Sequence, residues 1–238
     1  MALPFFYISN YDGSQKQIVL DEDTSKHIVQ VLRMKAGEQL NLTDGKGNLL
    51  TCEIMNDHKK RCEVRVTHSL FTIHHSPKVS VAISLLKNTN RFEWFLEKAT
   101  EIGVSEIIPL ICERTEKEKF RYERMQGICI SAMLQSQQVW LPVLHEPVEF
   151  TNAVTSSSAS QKFIAHCDDS NKQGLRKVLP LGEDLGGASI ILIGPEGDFT
   201  KEEIELALQH HFIPVSLGET RLRSETAGVV AVTLLCHI

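Results

Sequence analysis

The chain has 238 residues, of which 42% are hydrophobic and 23% are charged. This balance is close to the average of globular proteins, so the composition excludes a disordered chain and allows one or two domains with a buried core. The formal net charge of −5 argues against a protein that holds nucleic acid by bulk electrostatics, so any polyanion has to be met by local basic patches.

The start of the chain and its hydrophobic runs bear on location. The first residues, MALPFFYISNYDG, have no basic segment before a short apolar stretch, and no run of eighteen apolar residues occurs. We therefore expect a cytoplasmic protein with no membrane partner. Six cysteines without a Cys-x-x-Cys pair predict reduced, mostly buried thiols, and the histidine doublets lack a zinc-binding spacing, so no metal site is expected.

The first predicted element is a short helix. Asp21 or Asp23 is placed to cap its amino end, and Ile28, Val31 and Leu32 are predicted to share one apolar face. After this helix, short runs of alternating apolar residues are separated by Asp-Gly and Asn-Asp turns, which predicts a hairpin or a meander. These elements predict a small β domain over residues 1–72, with its boundary near residues 72–77.

Beyond this boundary the pattern changes to alternating strands and helices. The run VSVAISLL predicts a strand, RFEWFLEKATEIG predicts a helix that ends at Gly103, and VSEIIPLICE predicts a second strand. Trp94 and Phe95 are predicted to lie on the buried face of that helix. Strand, helix and strand in succession indicate a parallel sheet, so residues 73–238 are predicted to form an α/β domain.

The remaining elements continue this alternation. A helix is predicted around residues 122–139, then a Ser/Thr-rich loop or helix edge, the strand KFIAHC and a polar loop to about Ala188. The strand SIILIG follows, then a helix that opens with a capping box of Thr200 and Glu203, the strand IPVSLG and a last helix from about Ser224. The last helix, AGVVAVTLLCHI, is too hydrophobic for a solvated terminus, which predicts a homodimer through this domain.

Two neighbouring strand ends of the second domain carry glycines, in ILIGPEGDF and in PVSLGETRLRSETAG. Ligands of open α/β sheets lie beyond the carboxyl ends of the strands, so this pair predicts a pocket that presents backbone groups to a neutral or zwitterionic ligand. The chain lacks the phosphate-binding and dinucleotide-binding fingerprints and the nucleophile elbow of serine hydrolases. Tight turns at Gly194, Gly197 and Gly218 are the alternative explanation.

Four motifs in order give the chain a family resemblance. RFEWFLEKATEIGVSEIIPL, CERT, LIGPEGDFTKEEI and VSLGETRLRSETA resemble the RsmE family of SPOUT-class methyltransferases, which methylate N3 of one uridine in small-subunit (16S) ribosomal RNA. HIVQVLRMKAGE and DGKGN extend the similarity over nearly the whole chain. The resemblance implies an RNA-binding PUA-like β-barrel domain, followed by a homodimeric SPOUT-type parallel-sheet domain with a C-terminal trefoil knot. The implied partner is small-subunit ribosomal RNA or the assembled small ribosomal subunit.

The same resemblance implies S-adenosyl-L-methionine as the cofactor and assigns its site. No lysine is needed there because S-adenosylmethionine has no phosphate, and glycines leave room for the bent cofactor. The implied cofactor-binding residues are Leu192, Gly194, Pro195, Glu196, Gly197, Ser216, Leu217, Gly218 and Leu222.

One stretch departs from the family pattern. Residues 134–138, Leu-Gln-Ser-Gln-Gln, lack the acid and the arginine that relatives carry there, which puts in doubt a role of this helix end in RNA contact or catalysis. The departure motivates a second hypothesis, in which the chain is an RNA-binding or ribosome-assembly protein that has lost catalysis.

Methyl transfer to N3 of uridine requires loss of a proton and stabilisation of the charge that spreads onto O2 and O4. Arg223 is the first catalytic candidate because its planar guanidinium can hold a uracil carbonyl oxygen or a phosphate. A salt bridge to Glu225 or Glu196 is the alternative role of Arg223. Glu225 is the candidate proton acceptor, and its alternative role is that of an acid favoured by the dipole at a helix start.

Basic residues in both domains are candidates for contacts with RNA phosphates. For those of the second domain, structural ion pairs are the alternative, and for the cluster at 59–61 a solvated turn is the alternative. The candidates are Arg33, Lys35, Lys59, Lys60 and Arg61 in the first domain and Arg91 and Arg114 in the second.

Overall fold

The chain folds into two compact units. The first unit comprises Met1–His74 and Met133–Leu141, and the second comprises His75–Ala132 and Pro142–Ile238. The sequence predicts residues 133–141 in the second domain, whereas the fold groups them with the first unit. The structure, a computed structural model, describes residues 3–72, 78–116, 119–167, 172–179 and 187–237.

The first unit is built on a five-stranded sheet. Its strands are β1 (Phe5–Tyr7), β2 (Gln17–Val19), β3 (Gln39–Thr43), β4 (Asn48–Asn56) and β5 (Glu63–Phe71). They lie in the order β1-β3-β4-β5-β2, in which β1 is parallel to β3 and the other neighbours are antiparallel. The predicted meander is therefore confirmed. Alternation along the strands buries one side of the sheet, where Leu40, Leu42 and Leu50 are completely inaccessible.

The short helix of this unit, α1 (Glu22–Lys26), begins as predicted. The carboxylate of Asp21 accepts a hydrogen bond from the Thr24 N–H at 2.8 Å, which identifies Asp21 and not Asp23 as the cap.

The apolar face predicted for this helix is wrong in part. Ile28 is completely buried, whereas Val31 and Leu32 are 68% and 44% exposed. The cause is a π-helical turn over His27–Val31, in which Leu32 N–H donates to the carbonyl of His27 five residues earlier. This wider turn rotates Val31, three residues after Ile28, away from the face of Ile28, and Leu32 lies at the end of the turn.

Residues 133–141 join the first unit through the turn between β3 and β4. Gly47 N–H donates to the Val139 carbonyl, and Leu141 N–H donates to the Gly45 carbonyl, each at 2.9 Å. Gly47 has a φ of +97°, and a Cβ on it would lie 2.5 Å from the ring of Trp140. Only glycine satisfies both demands, so this turn and the segment that packs on it depend on one another.

The second unit contains an eight-stranded sheet among the residues described. Its strands are β6 (Val79–Ser84), β7 (Glu106–Ile111), β8 (Val143–Leu144), β9 (Val148–Glu149), β10 (Gln161–Ala165), β11 (Gln173–Gly174), β12 (Ser189–Ile193) and β13 (Ile213–Ser216). They lie in the order β11-β13-β10-β12-β6-β7-β8, and β9 also pairs with β7. Every pair is parallel, as predicted. The five longer strands are those predicted from apolar runs.

The helices of the second part of the chain mostly match their sequence signals. They are α2 (Thr89–Ile102), α3 (Tyr122–Gln135), α4 (Phe150–Ser156), α5 (Leu175–Val178), α6 (Lys201–Gln209) and α7 (Ser224–Cys236). Gly103 ends α2 with a φ of +100°, and the capping box of Thr200 and Glu203 at α6 is confirmed. Of the two alternatives for the Ser/Thr-rich stretch, loop or helix edge, the helix edge is confirmed, because α4 ends at Ser156 inside it. Most of the predicted polar loop before Ala188 lies outside the described residues.

The α3 helix ends four residues earlier than predicted. Its last residue is Gln135, and Gln137 adopts a left-handed conformation with a φ of +57°, which is incompatible with continued helix. The divergent stretch 134–138 is therefore the end of α3 and the turn that follows it.

Helices cover both faces of the sheet in the second unit. The helices α2 and α7 pack together on one face, where a Cβ on Gly228 would lie 2.6 Å from the ring of Phe95. Phe95 is completely buried as predicted, but the prediction for Trp94 is wrong, because this residue is 43% exposed. On the opposite face Phe150 and Phe199 pack against the sheet with their ring centroids 5.2 Å apart. Within the described ranges no helix combines the length and apolarity that a membrane span requires.

Candidate functional site

The carboxyl ends of β10, β12 and β13 open into a cleft in the second unit. The cleft has two adjoining parts with volumes of about 320 and 310 Å³. Ala165, Cys167, Arg221, Leu222 and Ala227 line both parts. This is the edge of the sheet at which the sequence places a pocket, and both glycine-bearing strand ends contribute to it.

The first part of the cleft is lined by the chain that follows β12. We call residues 194–199 the β12 loop. Gly194, Pro195 and Glu196 line the cleft, together with Asp198. The Asp198 N–H donates to the Pro195 carbonyl at 3.0 Å, which closes a turn. Two predicted cofactor residues lie elsewhere: Leu192 is completely buried inside β12, and Gly197 faces Arg114, with a Cβ there 3.4 Å from that side chain.

The glycines of the two loops have different surroundings. A Cβ on Gly194 would lie 3.2 Å from the ring and the backbone nitrogen of Phe199. The sequence-based explanation, that a side chain here occupies ligand space, is therefore replaced by a packing requirement of the protein itself. At Gly218 a Cβ would meet nothing within 4 Å, so the protein leaves open space beside this residue.

Arg114, predicted to contact RNA, is engaged with the β12 loop. Its Nη1 donates to the carbonyl of Gly197 at 2.7 Å and lies 3.4 Å from the carbonyl of Phe199. The residue follows β7, so its side chain extends past the end of β6 to reach a loop that follows β12. Both acceptors are backbone carbonyls, so these contacts are not the ion pair that was the alternative role, and RNA contact by Arg114 stays a prediction.

Two further hydrogen bonds connect the β12 loop to its neighbours. The Asp198 carboxylate accepts from the Cys167 N–H at 2.8 Å through Oδ2, and Glu196 Oε1 accepts from the Lys87 N–H at 3.2 Å. Asp198 also has a φ of +64°. A left-handed conformation is uncommon outside glycine, although aspartate tolerates it better than most residues.

The second part of the cleft is lined by residues 216–222, which we call the β13 loop. Ser216, Leu217, Gly218 and Leu222 all line it, as the resemblance implies. The Ser216 hydroxyl donates to the Gly218 carbonyl at 2.7 Å and accepts from the Gly218 N–H at 3.3 Å. Among the described residues, these two are the hydrogen bonds that the β13 loop makes apart from those that pair β13 with its neighbouring strands.

Three arginines stand around the first part of the cleft. Arg223 is exposed at the position before α7, and Arg91 and Arg221 also line this part. Arg221 was not predicted from the sequence, where it stands out only as one of two arginines in LGETRLRSE. The cluster makes this part of the cleft suited to an anion or to carbonyl oxygens that gain negative charge.

The carboxylates considered as partners of Arg223 are engaged with other groups. Glu225 Oε1 lies 3.7 Å from Arg91 Nε, and Glu196 accepts from the backbone of Lys87. In the described ranges neither carboxylate pairs with Arg223, so the alternative role of this residue as a salt-bridge partner is not observed. Glu225 is only 6% exposed, and its Oε2 has no hydrogen-bond partner among the groups described.

The basic candidates of the first unit lie on its surface. Lys35 Nζ lies 3.4 Å from Asp57, and Lys60 Nζ lies 3.6 Å from Glu22. Ion pairs as exposed as these contribute little to stability, so they leave the cations available to another anion. The exposed candidates are Arg33, Lys35, Lys59, Lys60 and Arg61. Among the residues that the structure describes, no group of three or more His, Cys, Asp or Glu side chains is arranged to hold a metal ion.

Two family models match the chain. A model described as an RNA methyltransferase domain matches residues 74–236, and a model described as an RNA methyltransferase PUA domain matches residues 20–67. Among curated proteins, the ribosomal RNA small subunit methyltransferase E of Synechocystis sp. is 30% identical over 207 residues, which cover 86% of this chain and 68% of the relative.

Solved structures match nearly the whole chain. The crystal structure of a probable rRNA-methyltransferase from Porphyromonas gingivalis has 37% sequence identity and a TM-score of 0.88, with 98% of each chain covered. The structure of a ribosomal RNA small subunit methyltransferase E from Neisseria gonorrhoeae bound to S-adenosyl methionine has 29% identity and a TM-score of 0.84, with 97% of this chain and 95% of the other covered.

Proposed function

The chain belongs to the RNA methyltransferase family that includes ribosomal RNA small subunit methyltransferase E, and we propose that it methylates N3 of a uridine in small-subunit ribosomal RNA. Its activity is S-adenosylmethionine-dependent methylation of ribosomal RNA. The observation that carries the choice of site is the cleft at the carboxyl edge of the parallel sheet, where the β12 and β13 loops meet. The trefoil knot of this region stays a prediction from the resemblance.

The cleft fits S-adenosylmethionine in its chemistry. This cofactor has an adenosine part and a zwitterionic amino acid part but no phosphate, and the cleft combines backbone groups of two loops with apolar side chains. The open space beside Gly218 is available to such a ligand. Gly194, Pro195 and Glu196 on one side and Ser216, Leu217, Gly218 and Leu222 on the other would hold it. S-adenosylmethionine supplies a methyl group that is activated by the positive sulfur to which it is attached.

The arginines beside the cleft suit the second requirement of the reaction, stabilisation of charge on the uracil. When N3 loses its proton, negative charge spreads onto O2 and O4, and a guanidinium can donate to either oxygen. Arg223 is the proposed donor, because it lines the cleft and no described carboxylate neutralises it. Arg91 and Arg221 line the same space and are proposed to contact the neighbouring phosphates.

Glu225 is proposed to accept the proton of uridine N3, directly or through one water. A buried carboxylate oxygen without a partner is costly, and such groups in native proteins call for an explanation. Glu225 Oε2 is such an oxygen, and the other oxygen of this carboxylate lies 3.7 Å from Arg91 Nε, whose residue lines the cleft.

The first unit is proposed to contact ribosomal RNA outside the target nucleotide. The PUA-domain match covers residues 20–67, which contain the exposed cations Arg33, Lys35 and Lys60. The substrate is proposed to be small-subunit ribosomal RNA, either free or within the assembled subunit, in the cytoplasm.

A homodimer is proposed through the last helix. Within α7 only Thr233 is exposed, whereas Val229, Val230 and Leu234 are half-buried in the single chain. An apolar helix at the surface favours a second copy as its partner.

The test is methylation of small-subunit ribosomal RNA from cells that lack this protein. Free RNA and assembled small subunits are incubated separately with the protein and S-adenosylmethionine, and nucleosides are analysed by mass spectrometry. N3-methyluridine at a single position is the expected product. Calorimetric titration with S-adenosylmethionine separates the alternatives, because a non-enzyme need not retain the cofactor site: absence of both binding and methylation supports the RNA-binding protein that has lost catalysis. Methylation of another atom removes N3 from the proposal.

A further inference from the structure

We propose that Arg114 and Asp198 are positioning residues that hold the β12 loop in its ligand-accepting shape before the cofactor binds. The proposal rests on the proposed function only for the identity of the ligand. Its structural basis is that the loop is tied to the ends of three neighbouring strands by groups that belong to the protein alone.

Arg114 supplies the tie to the β7 side of the loop. Its guanidinium donates to the Gly197 carbonyl at 2.7 Å and approaches that of Phe199 at 3.4 Å, so a single planar cation holds the chain on both sides of Asp198. Hydrogen bonds from a charged donor are about twice as strong as neutral ones. Both contacts come from one nitrogen, Nη1, so a lysine ammonium, which also carries several N–H donors, reproduces this arrangement in part.

Asp198 supplies the tie to the β10 side. Its Oδ2 accepts from the Cys167 N–H at 2.8 Å, and its Oδ1 accepts from the Phe199 N–H at 2.9 Å. Both carboxylate oxygens are thus engaged by backbone donors, although the residue lines the cleft. The left-handed backbone of Asp198 is a sparsely populated conformation, which persists only where the surroundings fix it.

The third contact that holds the loop comes from the end of β6, a strand that lies between β10 and β7 in the sheet. The Lys87 N–H donates to Glu196 at 3.2 Å. Because β10, β12, β6 and β7 are successive in this part of the sheet, the β12 loop is fastened on both flanks. A site whose loop is already ordered avoids the free-energy cost of ordering it during binding, so contacts that order the loop raise its affinity for the ligand.

This role for Arg114 differs in its consequences from contact with RNA. A positioning residue acts on the affinity for S-adenosylmethionine and on the order of the loop. A residue that contacts RNA acts on the KM for RNA and leaves the cofactor affinity unchanged. One set of variants therefore distinguishes the two roles.

The experiment compares Arg114→Ala, Arg114→Lys, Asp198→Asn and the wild-type protein. Hydrogen exchange of the amides at 196–199 is measured by mass spectrometry without cofactor, and the Kd for S-adenosylmethionine is measured by calorimetry. For Arg114→Ala we expect faster exchange in this segment and a Kd raised about 10- to 100-fold. Arg114→Lys and Asp198→Asn, which each keep part of the contacts, are expected to fall between Arg114→Ala and wild type. The KM for RNA and the single-turnover rate at saturating cofactor are expected to stay within about threefold of wild type.

Arg124→Ala is the matched control. Arg124 lies on α3 in the second unit and forms a two-pronged pair with Glu93, at 2.6 and 2.9 Å, away from the cleft lining. We expect it to leave loop exchange and cofactor affinity unchanged.

The outcomes separate this proposal from the proposed function. Absence of S-adenosylmethionine binding by the wild-type protein contradicts the proposed function. The exchange measurement still tests whether Arg114 and Asp198 hold the β12 loop. Normal cofactor affinity and normal loop exchange in Arg114→Ala overturn the positioning role, and a raised KM for RNA in the same variant assigns the residue to RNA contact instead. Faster exchange throughout the second unit also overturns it, because the residue then supports the whole fold and not this loop.

Discussion

The β12 and β13 loops form two sides of one cleft, yet the protein holds them in different ways. The β12 loop is bonded to residues that follow β6, β7 and β10, namely Lys87, Arg114 and Cys167. The β13 loop relies on Ser216, whose hydroxyl bonds to Gly218 two residues away. The β12 side of the cleft is therefore ordered before a ligand binds, whereas the β13 side can change its conformation.

The same difference appears at the glycines. Gly194 is pressed against Phe199, so the absence of a side chain there serves the packing of the loop. Gly218 faces open space, so the absence of a side chain there serves whatever enters the cleft. A rigid side fixes the position of a ligand, and an adjustable side allows it to enter and leave. We therefore expect substitutions in the β12 loop and in the β13 loop to differ in their effects on the melting temperature and on the affinity for S-adenosylmethionine.

The largest effect is expected for Arg223, which follows the β13 loop. Arg223→Ala should slow single-turnover methylation about 100- to 1000-fold, the typical cost of removing one donor to developing negative charge. The Kd for S-adenosylmethionine and the melting temperature should change little, because Arg223 is exposed and neither Glu225 nor Glu196 pairs with it. Single-turnover kinetics at saturating cofactor measure the effect.

Arg223→Lys is the matched variant for this prediction. It should recover only part of the rate, since an ammonium cannot reproduce the fork of the guanidinium. A near wild-type rate in Arg223→Ala, or a variant that fails because it no longer folds, contradicts the catalytic role.

The next prediction compares Gly194→Val with Gly218→Val. At Gly194 the new Cβ lies 3.2 Å from Phe199, so this ring or the loop has to shift, and we expect S-adenosylmethionine affinity to fall about 10- to 100-fold and the melting temperature to fall by about 2–10 °C. At Gly218 we expect the melting temperature to stay within about 1 °C while the affinity still falls, because the side chain occupies only the open space.

Calorimetry measures the S-adenosylmethionine affinity of both variants, and thermal unfolding measures their melting temperatures. If Gly218→Val binds the cofactor like wild type, the open space is not part of the ligand site. If Gly194→Val melts like wild type, the β12 loop is less rigid than its contacts indicate.

The sequence predicted most of the regular elements because their signals are local. The apolar run of β12 and the capping box of Thr200 and Glu203 lie within a few residues of the structure that they specify. The π-helical turn at His27–Val31 has no such signal, since its residues also suit an α-helix, and this is why Val31 and Leu32 were assigned to the wrong face.

The candidate site was predictable in its loops but not in its supports. Glycines that follow buried strands point to the sheet edge, and that pattern is visible in one dimension. The bond from Arg114 to Gly197 joins residues 83 positions apart, and the pair of Arg91 and Glu225 joins residues still more distant in sequence. Such partners are set by the strand order, which periodicity does not reveal. The grouping of residues 133–141 with the first unit was missed for the same reason.

Cys167 makes the place where the two loops meet accessible to a chemical probe. Cys167 is exposed and lines both parts of the cleft, whereas burial raises the pKa of Cys52 and Cys112 to about 12 and that of Cys129 to about 11. The thiolate is the reactive form of cysteine. With a pKa of about 11, only about one Cys129 thiol in a thousand is a thiolate at pH 8. Iodoacetamide should therefore label Cys167 first, and saturating S-adenosylmethionine should slow that labelling about tenfold.

Peptide mapping by mass spectrometry follows the labelling of each cysteine. The expected order is Cys167 well before the buried thiols, whose labelling should rise only as the pH approaches their raised pKa values. Labelling of Cys167 that is indifferent to the cofactor would place the ligand elsewhere than at the meeting point of the loops.

The smallest effect is expected for Ser216→Ala, and its size is what tests the adjustable side. The hydroxyl of Ser216 bonds to both the carbonyl and the N–H of Gly218, so its removal loosens a loop that already has few constraints. A neutral hydrogen bond contributes about 0.5–1.5 kcal/mol after exchange with water is counted, and a partly exposed one lies near the lower end, so the Kd for S-adenosylmethionine should rise only about two- to fivefold. Ser216→Thr, which keeps the hydroxyl and suits a strand end, should bind like wild type.

Arg114→Ala provides the contrast from the β12 side, where a larger loss of affinity is expected. If Ser216→Ala costs as much affinity as Arg114→Ala in the same calorimetric series, the β13 loop is as fixed as the β12 loop, and entry of the ligand must depend on movement of some other part of the cleft.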